Sequence, residues 1–367
     1  MKRNITSPFL IATLAAAALP LTTIGHAQEN DAATNTLDAL GQSELQEAFR
    51  TLSQHYIDKD ALDYESLNKA ALEGLLNRLS FGASIVERSP AEEADPETED
   101  ALAFHSEIII PGLAYIRPVT FSLDEIKATR DALKEFKTEE VETLIIDFRA
   151  PVPNDEFARV AAFADLFTPA QELLFKIAKP DDERPQSFQS KNPPAWNDDL
   201  ILLIDAETSP AAETAAAVIN HLRPSLIVGE KTPGAAVQYE EIALTPDTAL
   251  RFASAQVLLP DDSTLFRTGI TPRLKSRTPP KAKRNVFLQS QDKGLSRFLF
   301  ERERPRMNEA ALVSGINPEL EFYLAKSAGE STRWDKRALH DHALQSVVEF
   351  LNTATFLELT EEEPKSD

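Results

Sequence analysis

The run Thr208-Ser209-Pro210-Ala-Ala-Glu213 sets two hydroxyls and a carboxylate around a proline, just ahead of a helix-like stretch from Ala211 to Leu222. A serine on such a turn can serve as an acyl-transfer nucleophile when a base lies within hydrogen-bond reach. It can equally cap the helix, with proline at the first position, where its missing N–H costs nothing. Asp147 and Asp205 end two apolar runs of buried-strand type, Thr143 to Phe148 and Leu200 to Asp205. Carboxylates at that edge of an α/β sheet can belong to a site, or can simply order a turn. Beyond a leader-like start the histidines are His55, His105, His221, His340 and His342. His221 closes its helix, where a cation is favoured. His340 and His342 are two apart, which on a helix points them to different faces. That spacing argues against a metal centre. No P-loop or G-x-G-x-x-G run is present, so no cofactor is expected. Cysteine is absent, which excludes thiol nucleophiles, cysteine-type zinc sites and disulfides.

These residues must be positioned by a chain of 367 residues, 42% hydrophobic and 26% charged, a balance that supports a folded core. Acidic residues outnumber basic ones, 59 to 38, for a formal charge of −21. That field repels phosphate backbones and anionic headgroups, so nucleic acid and a polybasic membrane patch are excluded as partners. With 24 Pro and only 11 Gly, the composition also disfavours a glycine-rich phosphate cradle. Residues 1–27 have the form of a signal peptide: Lys2 and Arg3, an apolar run from Phe9 to Leu21, and small residues closing at Gly25-His26-Ala27. The run is short for a membrane span. It predicts export to the periplasm, with no membrane insertion after cleavage.

Residues 28–86 read as an N-terminal helical region, a hairpin of two helices. Leu45, Ala48, Phe49, Leu52 and Tyr56 form one stripe, and Leu67, Ala71, Leu72, Leu75 and Leu79 another. Residues 87–100 are acidic, with Pro90 and Pro96, and read as a linker. Residues 101–280 alternate strands with helices. The strands are Leu113 to Arg117, Thr143 to Phe148, Leu200 to Asp205, Leu226 to Gly229 and Arg251 to Leu259. The intervening helices are Leu123 to Phe136, Phe157 to Phe167 and Ala211 to Leu222. The pattern predicts an α/β core with a largely parallel sheet. Residues 281–360 form a C-terminal helical extension, ending in an amphipathic helix from Leu344 to Leu359. Residues 361–367 are a disordered tail.

The order of these segments resembles the tail-specific, or carboxyl-terminal processing, family of serine peptidases. Leu45-Gln-Glu-Ala-Phe-Arg, Tyr56-Ile-Asp58 and Asp63-Tyr-Glu65 look like its N-terminal helices, and Leu113-Ala-Tyr-Ile-Arg117 is similar to its first core strand. Leu144-Ile-Ile-Asp-Phe-Arg149 matches its L-I-L-D-L-R strand, Val228-Gly-Glu-Lys-Thr232 its V-G-E-K-T segment, and Gly269-Ile-Thr-Pro272 its closing G-I-x-P. The resemblance covers Leu45 to Leu274. It implies a polypeptide ligand and a serine activated by lysine. Family members carry a PDZ domain between the helical part and the core; Ile85 to Ala103 leaves no room for one.

The resemblance also implies where the machinery should lie. The family serine falls on Pro210 and its lysine on Ala235. Ser209, one residue away, is the candidate for a shifted nucleophile, and Gln238 is the counterpart of a glutamine that follows the lysine. Lys231 matches a non-catalytic lysine and reads as a solvated charge near a strand end. The glycine-rich turn that supplies oxyanion donors is replaced by Ala150-Pro-Val-Pro-Asn154, whose prolines remove N–H groups. The expectation is an exported peptidase-fold protein with a degenerate site that binds unfolded or extended polypeptide. The alternatives are an active serine endopeptidase using Ser209, and an assembly factor using the C-terminal helices.

Overall fold

The computed structural model describes residues 40–58, 62–88, 102–150, 156–180, 183–300, 317–329 and 339–361. The signal-peptide segment, most of the acidic stretch and the tail after residue 361 lie outside them. The chain divides into two compact units, Met1–Leu75 and Leu76–Asp367. In the first, helix α1 (Gln42–His55) and the greater part of α2 (Tyr64–Leu79) form where the apolar spacing predicts them. Neither helix buries a side chain.

The second unit is an α/β fold with two sheets. The larger has six strands in the order β11-β8-β7-β4-β3-β2. Its members are β2 (His105–Ile110), β3 (Leu113–Arg117), β4 (Thr143–Asp147), β7 (Asp199–Ile204), β8 (Leu226–Gly229) and β11 (Leu274–Lys275). All neighbouring pairs are parallel except the β2–β3 hairpin. The central strands read as continuous apolar runs because both of their faces are covered.

On one face Ala114, Ile116, Leu144, Ile146, Leu202 and Ile204 pack under α3 (Leu123–Thr138), α4 (Phe157–Ala164) and α5 (Pro210–Leu222), against Leu133, Phe136, Val160, Phe163, Val218 and Ile219. On the other, Leu113, Tyr115, Ile145, Ile201, Leu203 and Val228 meet Val286 of α6 (Pro280–Lys293), Leu295 and Phe298 of a short 3-10 turn, and Leu344 and Val347 of α8 (His342–Glu361). The strands' two-residue alternation divides their side chains between these layers. The C-terminal helices are therefore the second cover of the sheet. Helix α7 (Pro318–Ser327) lies between α6 and α8 in sequence and exposes Leu320, Tyr323 and Leu324.

Of the second sheet, the sequence pattern shows only the strand read from Arg251 to Leu259, which is most of its long central strand. The sheet runs β1-β10-β5-β6 with β9 added to β10: β1 (Ala83–Glu87), β5 (Leu173–Ala178), β6 (Gln186–Gln189), β9 (Val237–Ala243) and β10 (Thr248–Leu258), all antiparallel. Ala83 to Glu87, at the end of the segment read as helical, is a strand because β10 pairs with every one of its residues, Ala83 on Phe252 through Glu87 on Thr248. This extended edge cannot be seen in the local pattern, where Val86 and Glu87 break the apolar alternation.

Two glycines hold the motif segments together. At Gly229 (φ +130°) a Cβ would lie 1.9 Å from the Ile204 carbonyl oxygen. At Gly269 (φ +64°) it would lie 2.3 Å from that of Thr232. The backbones of these segments touch, and only glycine permits the approach.

Candidate functional site

Strand β7 ends at Ile204, and the turn that follows is built by Asp205. Asp205 N–H donates to Thr208 Oγ1 (2.8 Å), and Glu207 N–H donates to Asp205 Oδ1 (2.9 Å). The turn delivers Ser209 as N-cap of α5, its Oγ accepting the Ala212 N–H at 3.3 Å, with Pro210 as the first helical residue. Beside it lies a cleft of about 290 Å³ lined by Ser209, Pro210, Pro233, Ala235, Tyr239 and Arg251. The Arg251 guanidinium stacks on the Tyr239 ring at 4.2 Å, and the Tyr239 hydroxyl donates to the Phe81 carbonyl. The fold thus brings Ser209, Pro210 and Ala235 together around one cleft. Gln238 is not among the cleft's lining residues. It sits on β9 opposite Ala255, and its carbonyl accepts from the Ser254 hydroxyl.

Glu213, next to the cleft's lining residues, is wholly buried. Its Oε1 accepts the Thr232 hydroxyl in a short bond and the Gly234 N–H at 2.8 Å. The same Thr232 oxygen accepts Ile270 N–H at 2.7 Å. The T-S-P-A-A-E, G-E-K-T and G-I-T-P segments therefore converge on one threonine hydroxyl. Burial pushes the Glu213 carboxyl above the ordinary glutamate range, and the hydrogen bonds from Thr232 and Gly234 only partly offset it. No cation pairs with it, and its Oε2 is unsatisfied among the described residues.

Asp147 and Asp205 do more than order turns; both are ion-paired at the strand ends. Lys283 of α6 spends its three donors on Asp205 Oδ2 (2.5 Å), Glu207 Oε2 (2.8 Å) and the Arg149 carbonyl (3.1 Å). Arg149 bridges Asp147 and Asp341, and the Tyr115 hydroxyl donates to Asp147 Oδ2 at 2.8 Å. Burial, with the Asp147 charge, pushes the Tyr115 phenol well up. Arg117, also buried, donates to the Phe287 carbonyl and stacks on that ring at 4.4 Å. Sequence reasoning missed Lys283, Asp341 and Arg251, since nothing local separates them from solvated charges.

His340 and His342 do not point apart: their rings stack at 4.3 Å and 14°. Helix α8 begins only at His342, so helical spacing does not govern the pair. Lys231 is exposed, as a charge near a strand end should be.

Most of the cleft's lining lies inside a region that known proteins share. Residues 112–276 match the model of peptidase family S41. The chain is 22% identical over 160 residues to the carboxyl-terminal-processing protease of Synechocystis sp., covering 44% of this chain and 37% of that protein. The chain thus spans well under half the length of the curated relative it matches. Among solved structures, the photosystem II D1 C-terminal processing protease is 20% identical, covers 47% of each chain and gives a TM-score of 0.39. A lipoprotein from Streptococcus agalactiae is 14% identical, with 76% of this chain on 100% of that one and a TM-score of 0.43.

Proposed function

We infer that this protein has lost the Ser-Lys chemistry of its family and uses the cleft to bind extended polypeptide in the cell envelope. The observation that carries the reading is that Pro210 and Ala235, at the positions the family resemblance implies for nucleophile and base, line the same cleft. Neither side chain can attack a carbonyl or accept a proton. Ser209 supports the same reading: its oxygen is engaged by the Ala212 N–H, and among the described residues no lysine or histidine lines the cleft. A base out of reach leaves a serine hydroxyl unactivated. The nearby Lys283 has every donor committed.

A peptide ligand suits the remaining architecture. Strand β9 follows directly from Ala235 and pairs only with β10 among the described strands, so its outer edge offers backbone groups for strand addition. The leader-like residues 1–27 are the basis for the envelope location, and the short segment from Ile85 to Ala103 for the lack of a PDZ module. Helices α6 and α8 spend apolar residues on their own sheet, whereas α7 exposes Leu320, Tyr323 and Leu324, the surface an assembly factor would use.

The test is incubation of the protein and its Ser209→Ala version with a mixture of unfolded proteins, followed by mass spectrometry of the products. Silence from both folded proteins, with peptides retained on the immobilised protein, is the expected result. Cleavage that disappears in the alanine version would establish an active serine endopeptidase instead.

A further inference from the structure

The loop that carries Ala235 into the cleft begins at a second cavity. This one measures about 470 Å³ and lies where β8 and β11 end, the edge at which ligands collect in α/β folds. Lys231, Lys275 and Arg277 line it, against a single carboxylate, Glu230. Arg277 Nε stands 3.5 Å from Glu230, while neither lysine ammonium has a side-chain partner among the described residues. In a chain with 59 acidic and 38 basic residues, a cavity of this sign is a local reversal of the protein's field. Three cations against one carboxylate leave a net positive charge that favours an anion among them. Carboxylates match such donors well, since ammonium and guanidinium groups both give charge-assisted hydrogen bonds.

The two cavities are close along the chain. Lys231 lines one and Ala235 the other. Four residues span at most about 14 Å. An extended peptide of about five residues covers the same distance.

We propose that the Lys231–Lys275–Arg277 cavity is a carboxylate-binding subsite for the polypeptide held in the cleft. The preferred ligand then carries acidic side chains, or a free C-terminal carboxylate, at one end of the seated segment. This rests on the reading of the cleft as a peptide site.

Four fluorescent octapeptides sharing one apolar half test it, the other half being acidic or neutral and the C-terminus free or amidated. Anisotropy titrations with the purified protein should give about tenfold tighter binding of a carboxylate-bearing peptide than of the neutral, amidated one at low salt. The difference should shrink at about 0.5 M salt. The free and amidated arms separate main-chain from side-chain carboxylates. The Lys231→Gln/Lys275→Gln variant should lose the preference and keep its affinity for the neutral, amidated peptide. Equal affinity for all four peptides, or a preference that survives in the variant, overturns the subsite and leaves the cleft reading intact. If no peptide binds, the cleft reading fails and calorimetry with tricarballylate decides the subsite. Binding that the variant loses supports it, and absence of binding to the unaltered protein overturns it.

Discussion

Arg149 and Asp341, 192 positions apart, meet in a two-pronged ion pair with bonds of 2.9 and 2.7 Å, both side chains 2% exposed or less. Asp341 also accepts the Ala343 and Leu344 N–H groups and the Thr278 hydroxyl, so one carboxylate caps α8 and ties it to the end of β4. The pair is the polar counterpart of the apolar layer that α6 and α8 lay over the sheet.

Asp341→Asn should therefore destabilise the second unit by about 3–5 kcal/mol, because it strands half of a buried guanidinium's partners. Burial alone would push the Asp341 carboxyl up. The Arg149 charge and the hydrogen bonds outweigh it and hold the group below the ordinary aspartate value of 3.8. Its contribution is present above that value and is lost as pH falls through the lower, folded one. Urea titrations of both proteins between pH 3 and pH 7 check this: the gap between them should close toward acid.

Lys283→Met should cost a comparable amount, about 3 kcal/mol or more, since Asp205 would keep its burial and lose its cation. A joint Lys283→Met/Asp205→Asn change should recover part of the loss, and a double-mutant cycle in urea measures the coupling. Full additivity would mean that the pair does not hold the turn ahead of Ser209.

Glu213 should act with the opposite sign to Asp341. Its folded carboxyl titrates above the ordinary value of 4.5, so its contribution is complete below that value and lost as pH rises through the folded one. Glu213→Gln removes the ionisation while leaving an oxygen for Thr232 and Gly234. The variant should gain stability relative to the parent on going from pH 4 to pH 8, read as a relative rise in thermal midpoint. A parallel pH dependence in the two proteins would exclude the buried acid as its source.

Gly229→Ala should cost more than about 3 kcal/mol, through strain at positive φ and a clash with backbone that cannot turn aside. Gly112→Ala is the control: its φ is +80°, but nothing lies within 4 Å of the added methyl. The difference in unfolding midpoint between the two variants isolates the clash from the strain.

Much of this was legible in the residues. Leu144-Ile-Ile-Asp and Leu200-Ile-Leu-Leu-Ile announce strands covered on both faces, because only such strands can bury every side chain. The Ser209-Pro210 cap is equally local, since a hydroxyl followed by proline and alanines meets the needs of a helix start within a single turn. Family resemblance implies Pro210 and Ala235 as the counterparts, and both line one cleft.

What remained for the tertiary structure was every relationship in which the partners are far apart in the chain. Strand β1 exists because β10 offers it a ladder some 165 positions later, and no periodicity in five residues encodes that partner. Lys283 and Asp341 look like solvent charges in sequence, and become buried pairs only when α6 and α8 close over the sheet. The stacking of His340 on His342 depends on where α8 begins, which Asp341 sets as its cap. Local physics selects the strands and helices. Which charges leave water is decided by what each element is packed against.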